Sequence, residues 1–256
     1  MTTAIQKTEA HLPAVQAPAA EHIDASDVLI PALYLMQSNS TFVKEEKARN
    51  GAIVKSTGVV TVANKGESVV IVPLAFNKNF RIVDKKGNKW VRTEAFNPAV
   101  ADVWDFKEDG RDLKRVTTIN VYAFLLSDLE AQAKAKLEAE KTGDMLDPSA
   151  VAMPVLVSFR SKGFKAGKEV ITHFALAQRV KSEPYMGKLE LSAHEEANDD
   201  GSFYVFDVKP YRDGKKLSKE ALSDCAEWRS LMTAGKVRAD EAGEGSEETT
   251  ESTAQY

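Results

Sequence analysis

The sequence predicts a mainly β fold with peripheral α-helices, and three observations carry that expectation. Short apolar runs rich in β-branched and aromatic residues recur through the middle of the chain, at 69–74, 117–126, 153–160 and 203–211. Clusters of Asp, Asn, Lys and Gly separate several of them, as at 84–88, 109–110 and 198–201. Only two stretches, near 128–141 and 217–232, combine helical spacing with a capping residue.

Taken in order, residues 1–25 are rich in Ala, Thr, Pro and Gln without apolar periodicity and read as a disordered arm. Order is expected over 26–238. Val28, Leu29, Ile30, Leu33, Leu35 and Met36 open it, with Pro31 favouring an extended segment or a short helix that starts there. Residues 45–51 form a polar connection, and 58–62 a weak strand. The run 69–74 is the clearest buried strand, and Pro73 places it at a sheet edge or a bulge. The turn chemistry of 84–88 predicts a hairpin whose second strand carries Lys89, Trp90 and Arg92. A second turn at Asp109 and Gly110 precedes the strand 117–126. Ser127 or Asp128 then caps a helix of Ala, Glu, Lys and Leu that ends before Gly143, with a narrow apolar face of Leu129, Ala133 and Leu137. After the strand 153–160, residues 162–179 fit either a helix or a strand. Residues 189–191 read as a short strand, His194 to Asp200 as an acid-rich loop, and 203–211 as a strand with alternating faces. Ser218 caps a final amphipathic helix containing Leu222, Cys225, Ala226, Arg229 and Met232. Residues 239–256 form an acidic tail, expected to be disordered.

Composition excludes several classes. The chain has 256 residues, 43% hydrophobic and 28% charged, an ordinary soluble balance. Its longest apolar runs are too short for a bilayer, and the first residues lack a basic region followed by an apolar one, so a cytoplasmic protein is expected. A single cysteine, Cys225, rules out an intramolecular disulfide and a cysteine-based metal site. The formal charge of −4 is unevenly divided: residues 239–256 carry −6 and the first 26 carry −2, leaving +4 on the body between them. A mildly basic body suits a phosphate-bearing partner.

The densest chemistry lies in and after the 69–92 stretch. Phe76, Lys78, Phe80, Arg81, Lys89, Trp90 and Arg92 set rings beside cations at near-alternating positions, and Trp104, Phe106, Arg111, Lys114 and Arg115 repeat the theme. Rings that stack on bases and cations that neutralise phosphates are what a single-strand groove requires. Rings on strands are also the usual material of a core, and cations beside them the usual solvated face.

No nucleotide-binding glycine loop, paired-histidine site or catalytic constellation is present, and no cofactor is expected. His194, Glu195, Glu196, Asp199 and Asp200 read as a solvated acid-rich loop rather than a metal site. Asp207 and Lys209 are too small a fragment to make an enzyme.

A helix between strand groups matches the position of the helix in an oligonucleotide-binding barrel, so an OB-like barrel with extra helices is the expected architecture. Together, the strand-rich body, the rings Phe76, Phe80, Trp90, Trp104 and Phe106 among basic residues, and the acidic tail with its terminal Tyr256 resemble the single-stranded DNA-binding proteins of bacteriophages and bacteria. The opening ASDVLIPALYLMQSNSTFV is similar to phage-encoded proteins of this group. The tail departs from the family pattern, because Ser, Thr, Ala and Gln separate its last acid from Tyr256.

That resemblance implies sequence-independent binding of single-stranded DNA in replication or recombination, in the host cytoplasm. The cations Lys78, Arg81, Lys89, Arg92, Arg111, Lys114, Arg115, Arg160, Lys162 and Lys165 would track phosphates. The tail residues Asp240, Glu241, Glu244, Glu247, Glu248, Glu251 and Tyr256 would compete with DNA and recruit replication or recombination proteins. A homo-oligomer is left open. The alternatives are a phage structural or assembly protein without DNA binding, and a metal-dependent nuclease built on Asp207 and Lys209.

Overall fold

The computed structural model describes residues 29–234 apart from positions 88 and 200. The expected N-terminal arm and acidic tail therefore lie outside the described residues.

Ten strands form one mixed sheet: β1 (Ala32–Leu35), β2 (Ile53–Lys55), β3 (Val60–Ala63), β4 (Ser68–Asp84), β5 (Lys89–Ala95), β6 (Asp105–Glu108), β7 (Arg111–Leu125), β8 (Val155–Arg160), β9 (Lys188–Asn198) and β10 (Gly201–Tyr211). The order is β10-β9-β4-β7-β8-β1-β2-β3, with β5 added to the far half of β4 and β6 to the far half of β7. Among the described residues only β1 and β8 pair in parallel. The α-helices among the described residues are α1 (Thr41–Lys44), α2 (Leu126–Thr142), α3 (Phe164–Arg179) and α4 (Lys219–Thr233).

The long strands β4 and β7 organise the molecule. Near the start of β4 its outer neighbour is β9, and beyond Asn79 it is β5, so one continuous ladder links a broad body to a projecting arm. Pro73 is accommodated because the β4–β7 register shifts between Pro73 and Ala75. The shift reverses parity: Val69, Ile71 and Pro73 share a face with Phe76, Lys78, Phe80 and Ile82.

Both faces of the body are covered. On one, Ile71, Ile119, Val121, Val157 and Phe159 pack beneath Ala166 and Val170 of α3. The residues 162–179, ambiguous in sequence, are helical from Phe164 because this surface is there to be covered. Gly167 lets the helix approach; a Cβ there would stand 2.8 Å from Ile119 Cδ1 and from Phe159 Cβ. On the other face Val72, Leu74 and Phe124 pack beneath α2 and α4 through Leu126, Leu129, Ala221, Cys225 and Trp228. Burying a side chain such as Phe124 contributes about 1.5–3 kcal/mol.

Local signals set the helix ends. The Ser218 hydroxyl accepts from the Ala221 amide at 3.2 Å, and Gly143 ends α2 in the left-handed region at φ 75°. The buried Gln132 of α2 bridges to Asp224 of α4 and accepts from the Ala152 amide, while Lys136 Nζ lies 2.8 Å from Asp224.

Three expectations need correction. The sheet is not a closed barrel: β10 pairs only with β9 and β3 only with β2 among the described residues. The segment after β1 nevertheless reaches β10, where the Gln37 side-chain amide donates to the Tyr204 carbonyl and accepts from the Tyr204 amide, both at 2.8 Å. One side chain thus satisfies both backbone groups of Tyr204 on the free edge of β10, where a barrel would need a strand. Residues 189–191 belong to the eleven-residue strand β9. His194, Glu195 and Glu196 lie on that strand too, where the β10 hairpin supplies the pairing that the acidic sequence hides.

Candidate nucleic-acid interface

The arm is a four-stranded antiparallel sheet, β5-β4-β7-β6, and period-two alternation divides its residues between two faces. On one face Phe80, Ile82 and Leu113 are fully buried beneath Val91, Phe96, Val100, Ala101 and Phe106. The covering segment follows β5, where Asn97 Oδ1 accepts from the Ala99 amide and turns the chain back at Pro98. Phe96 lies 5.0 Å from Phe80, ring centroid to centroid.

Two predicted cations belong to this core. The Arg115 guanidinium sits 5.2 Å from the Phe80 ring and 4.6 Å from the Phe106 ring, donates to the Val103 carbonyl at 2.9 Å, and is 12% exposed. Arg92 holds Glu94 at 2.7 Å and Glu108 at 2.5 Å. Hydrogen bonding from Arg92 keeps the Glu108 carboxyl below the usual carboxylate range. Phe80, only 1% exposed, and the partly buried Phe106 are therefore core residues, not base stackers. Arg92 and Arg115 neutralise and cover protein groups on this face.

The other face of the arm is different. There the register aligns Arg81 with Thr93 and Val116, and Val83 with Trp90 and Lys114, across β5, β4 and β7. A register shift between Ile82 and Val83 brings Trp90 onto this face. Trp90 is 44% exposed, while Arg81 and Lys114 are half-buried. Lys114 makes no ion pair among the described residues.

Towards the body, two polar rows continue the same face: Asn79, Thr118 and Arg160, then Asn77, Asn120 and Ser158. Ser158 Oγ donates to Asn120 Oδ1 at 2.7 Å. The next row, Ala75, Tyr122 and Leu156, is apolar and packs with Trp228, Leu231 and Met232 of α4. From Val83 to Asn77 the polar strip runs about 20 Å at the usual rise per strand residue.

The remaining predicted residues are dispersed. Phe76 lies on the face covered by α3, edge-on to Phe174 at 4.9 Å. Lys78 lies against the Phe96 ring at 5.2 Å. Trp104 is 54% exposed, but its carbonyl accepts from the Arg115 amide, and alternation with Phe106 sets it on the arm's core face, at the edge opposite Trp90. Lys89 and Arg111 occupy the tips of the two arm hairpins, and Lys162 lies 5.6 Å from the Phe203 ring of β10. Lys165 is exposed on the first turn of α3.

The structure thus gathers Arg81, Trp90, Lys114 and Arg160 on one strip. It adds Asn77, Asn79, Thr118, Asn120 and Ser158, which the sequence reading passed over. Their signal was polar residues at period two inside otherwise apolar strands.

Elsewhere, Lys209 Nζ pairs with the Asp207 carboxylate at 2.8 Å, and donating this hydrogen bond raises the Lys209 pKa. Among the described residues no three His, Cys, Asp or Glu side chains gather to hold a metal ion. Burial pushes the Cys225 thiol up to about 12. No helix among the described residues is long and apolar enough to cross a membrane.

A family model described as the Pam3 phage gp34-like protein matches residues 7–237. The chain belongs to the Pam3 phage gp34-like protein family. That description associates the family with a bacteriophage, and the match spans both the body and the arm. No curated protein and no solved structure matches the chain.

Proposed function

We propose that this chain binds single-stranded DNA and protects it during phage replication or recombination in the host cytoplasm. The observation that carries the reading is the polar strip on β5, β4, β7 and β8, where an exposed Trp90 stands with Arg81 and Lys114 and the surface continues to Arg160. An indole face stacks on any base, and three cations within about 13 Å along the strands suit a backbone of regularly spaced phosphates. Oligonucleotide-binding domains also take single strands on a strand face, so the reading requires no closed barrel. The acidic tail would compete for the same cations and recruit replication or recombination proteins when DNA displaces it.

The test is fluorescence anisotropy with labelled oligo-dT and a matched duplex across a salt series. Tight single-strand binding that weakens with salt, and weakens again in Trp90→Ala, is the expected result. No binding at low salt overturns the reading.

A phage assembly role is the second reading. It is favoured by Leu176 and Val180, exposed one helical turn apart at the end of α3. It predicts concentration-dependent protein association and no salt-sensitive DNA binding.

A further inference from the structure

The middle of the strip differs in chemistry from its arm end. Five of the six side chains in its two polar rows are uncharged amides or hydroxyls: Asn77, Asn79, Thr118, Asn120 and Ser158. Such groups do little for phosphate affinity, which comes from cations. The centre of the lattice is buried, with Thr118 6% and Asn120 5% exposed. Its rim is accessible, because Asn77 is exposed and Asn79, Ser158 and Arg160 are half-exposed. The Thr118 hydroxyl has no hydrogen-bond partner among the described residues. A hydroxyl left unsatisfied at that depth is destabilising, and a valine would keep the shape without the cost. Position 118 therefore retains a polar group that the fold itself does not use.

We propose that this lattice takes the edge of one nucleobase, so that strand binding discriminates among bases. The inference rests on the single-strand reading. Asparagine offers a donor and an acceptor side by side, the pattern that matches two neighbouring atoms of a base edge, and a hydroxyl can donate or accept. Arg160 ends the Thr118 row, and Arg81 lies one row farther along β4, about 7 Å away. Both cations thus stand at the arm end of the lattice, where the phosphate on that side of a held base would pass. Trp90 lies one row beyond Arg81 and is placed to stack on a neighbouring base.

The test compares oligo-dT, oligo-dA, oligo-dC and an abasic oligomer of equal length at one salt concentration. The full chain and the variants Thr118→Val and Asn77→Ala are each titrated. In the full chain the homopolymer affinities should differ by about fivefold or more, the lower bound for one two-point amide–base contact. Both variants should narrow that spread, leaving the abasic affinity and the salt slope unchanged. Asn77 is exposed, so its variant keeps the result interpretable if Thr118→Val folds poorly. Equal homopolymer affinities in the full chain, or an unchanged spread in both variants, would overturn the base-edge site and leave single-strand binding intact. No binding to any oligomer, abasic included, would overturn both readings.

Discussion

On one face of the arm, Phe80 and Phe106 pack around the guanidinium of Arg115, and Arg92 holds two glutamates. On the other face, Trp90 stands with Arg81 and Lys114 and its ring reaches solvent. Both faces set rings or a ring beside cations on the same strands. What separates them is the segment from Phe96 to Ala101, which folds over the first face and not the second. A ring-plus-cation pattern is thus a description of composition; its meaning depends on what covers it.

Four experiments break or sharpen that contrast. The largest effect is expected for Phe80→Ala, which empties the centre of the arm core and should cost about 3–5 kcal/mol in urea unfolding. A neutral result would show that the covered face is not a core. Trp90→Ala should leave stability within about 0.5 kcal/mol and weaken single-strand binding by about 1–3 kcal/mol, read by melting and anisotropy on one preparation. A stability loss equal to that of Phe80→Ala would erase the difference between the faces.

Charge removal comes next. Lys114→Gln should flatten the dependence of log affinity on log salt by about 0.7, whereas Arg92→Gln should not change it, because Arg92 is already matched to Glu94 and Glu108. Equal slope changes would place both faces on the DNA.

The smallest effect is pH-dependent. Arg92 lowers the Glu108 pKa in the folded protein, so the pair's contribution is fully present above the unfolded carboxylate value of about 4.3 and is lost as pH falls through the depressed folded value. Melting curves collected from neutral to acidic pH should show this component in the native chain and not in Glu108→Gln. Its size is limited by solvent screening at the partly exposed pair.

Much of the fold was legible because its signals are local. The hairpin turn after Asp84, the turn at Asp109 and Gly110, the Ser218 cap and the Gly143 stop act through the φ, ψ and hydrogen bonds of a few neighbouring residues. Pro73, with no amide to donate, announced a sheet edge or a bulge, and the β4–β7 register shift makes it a bulge. The helical state of 164–179 was not legible, since Phe164, Val170, Ile171 and Phe174 satisfy either period and only the sheet beneath Gly167 decides. The acidic β9 was hidden by its charges, which the β10 hairpin tolerates along exposed positions.

The candidate site was half legible for the same reason. Trp90, Arg81, Lys114 and Arg160 stood out as rings and cations, but so did Phe80, Phe106, Arg92 and Arg115. Asn77, Thr118, Asn120 and Ser158 come from three strands up to about eighty positions apart in the chain and meet only through the β4–β7 and β7–β8 registers. By itself the sequence determined the apolar strands, the turns between them and the capped helices, because those choices rest on short-range sterics and capping. The tertiary structure decided which arm face became core, that Gln37 rather than a strand met the edge of β10, and which polar residues share a surface. Burial and cross-strand pairing depend on groups distant in the chain, and no local pattern encodes what will cover a given face.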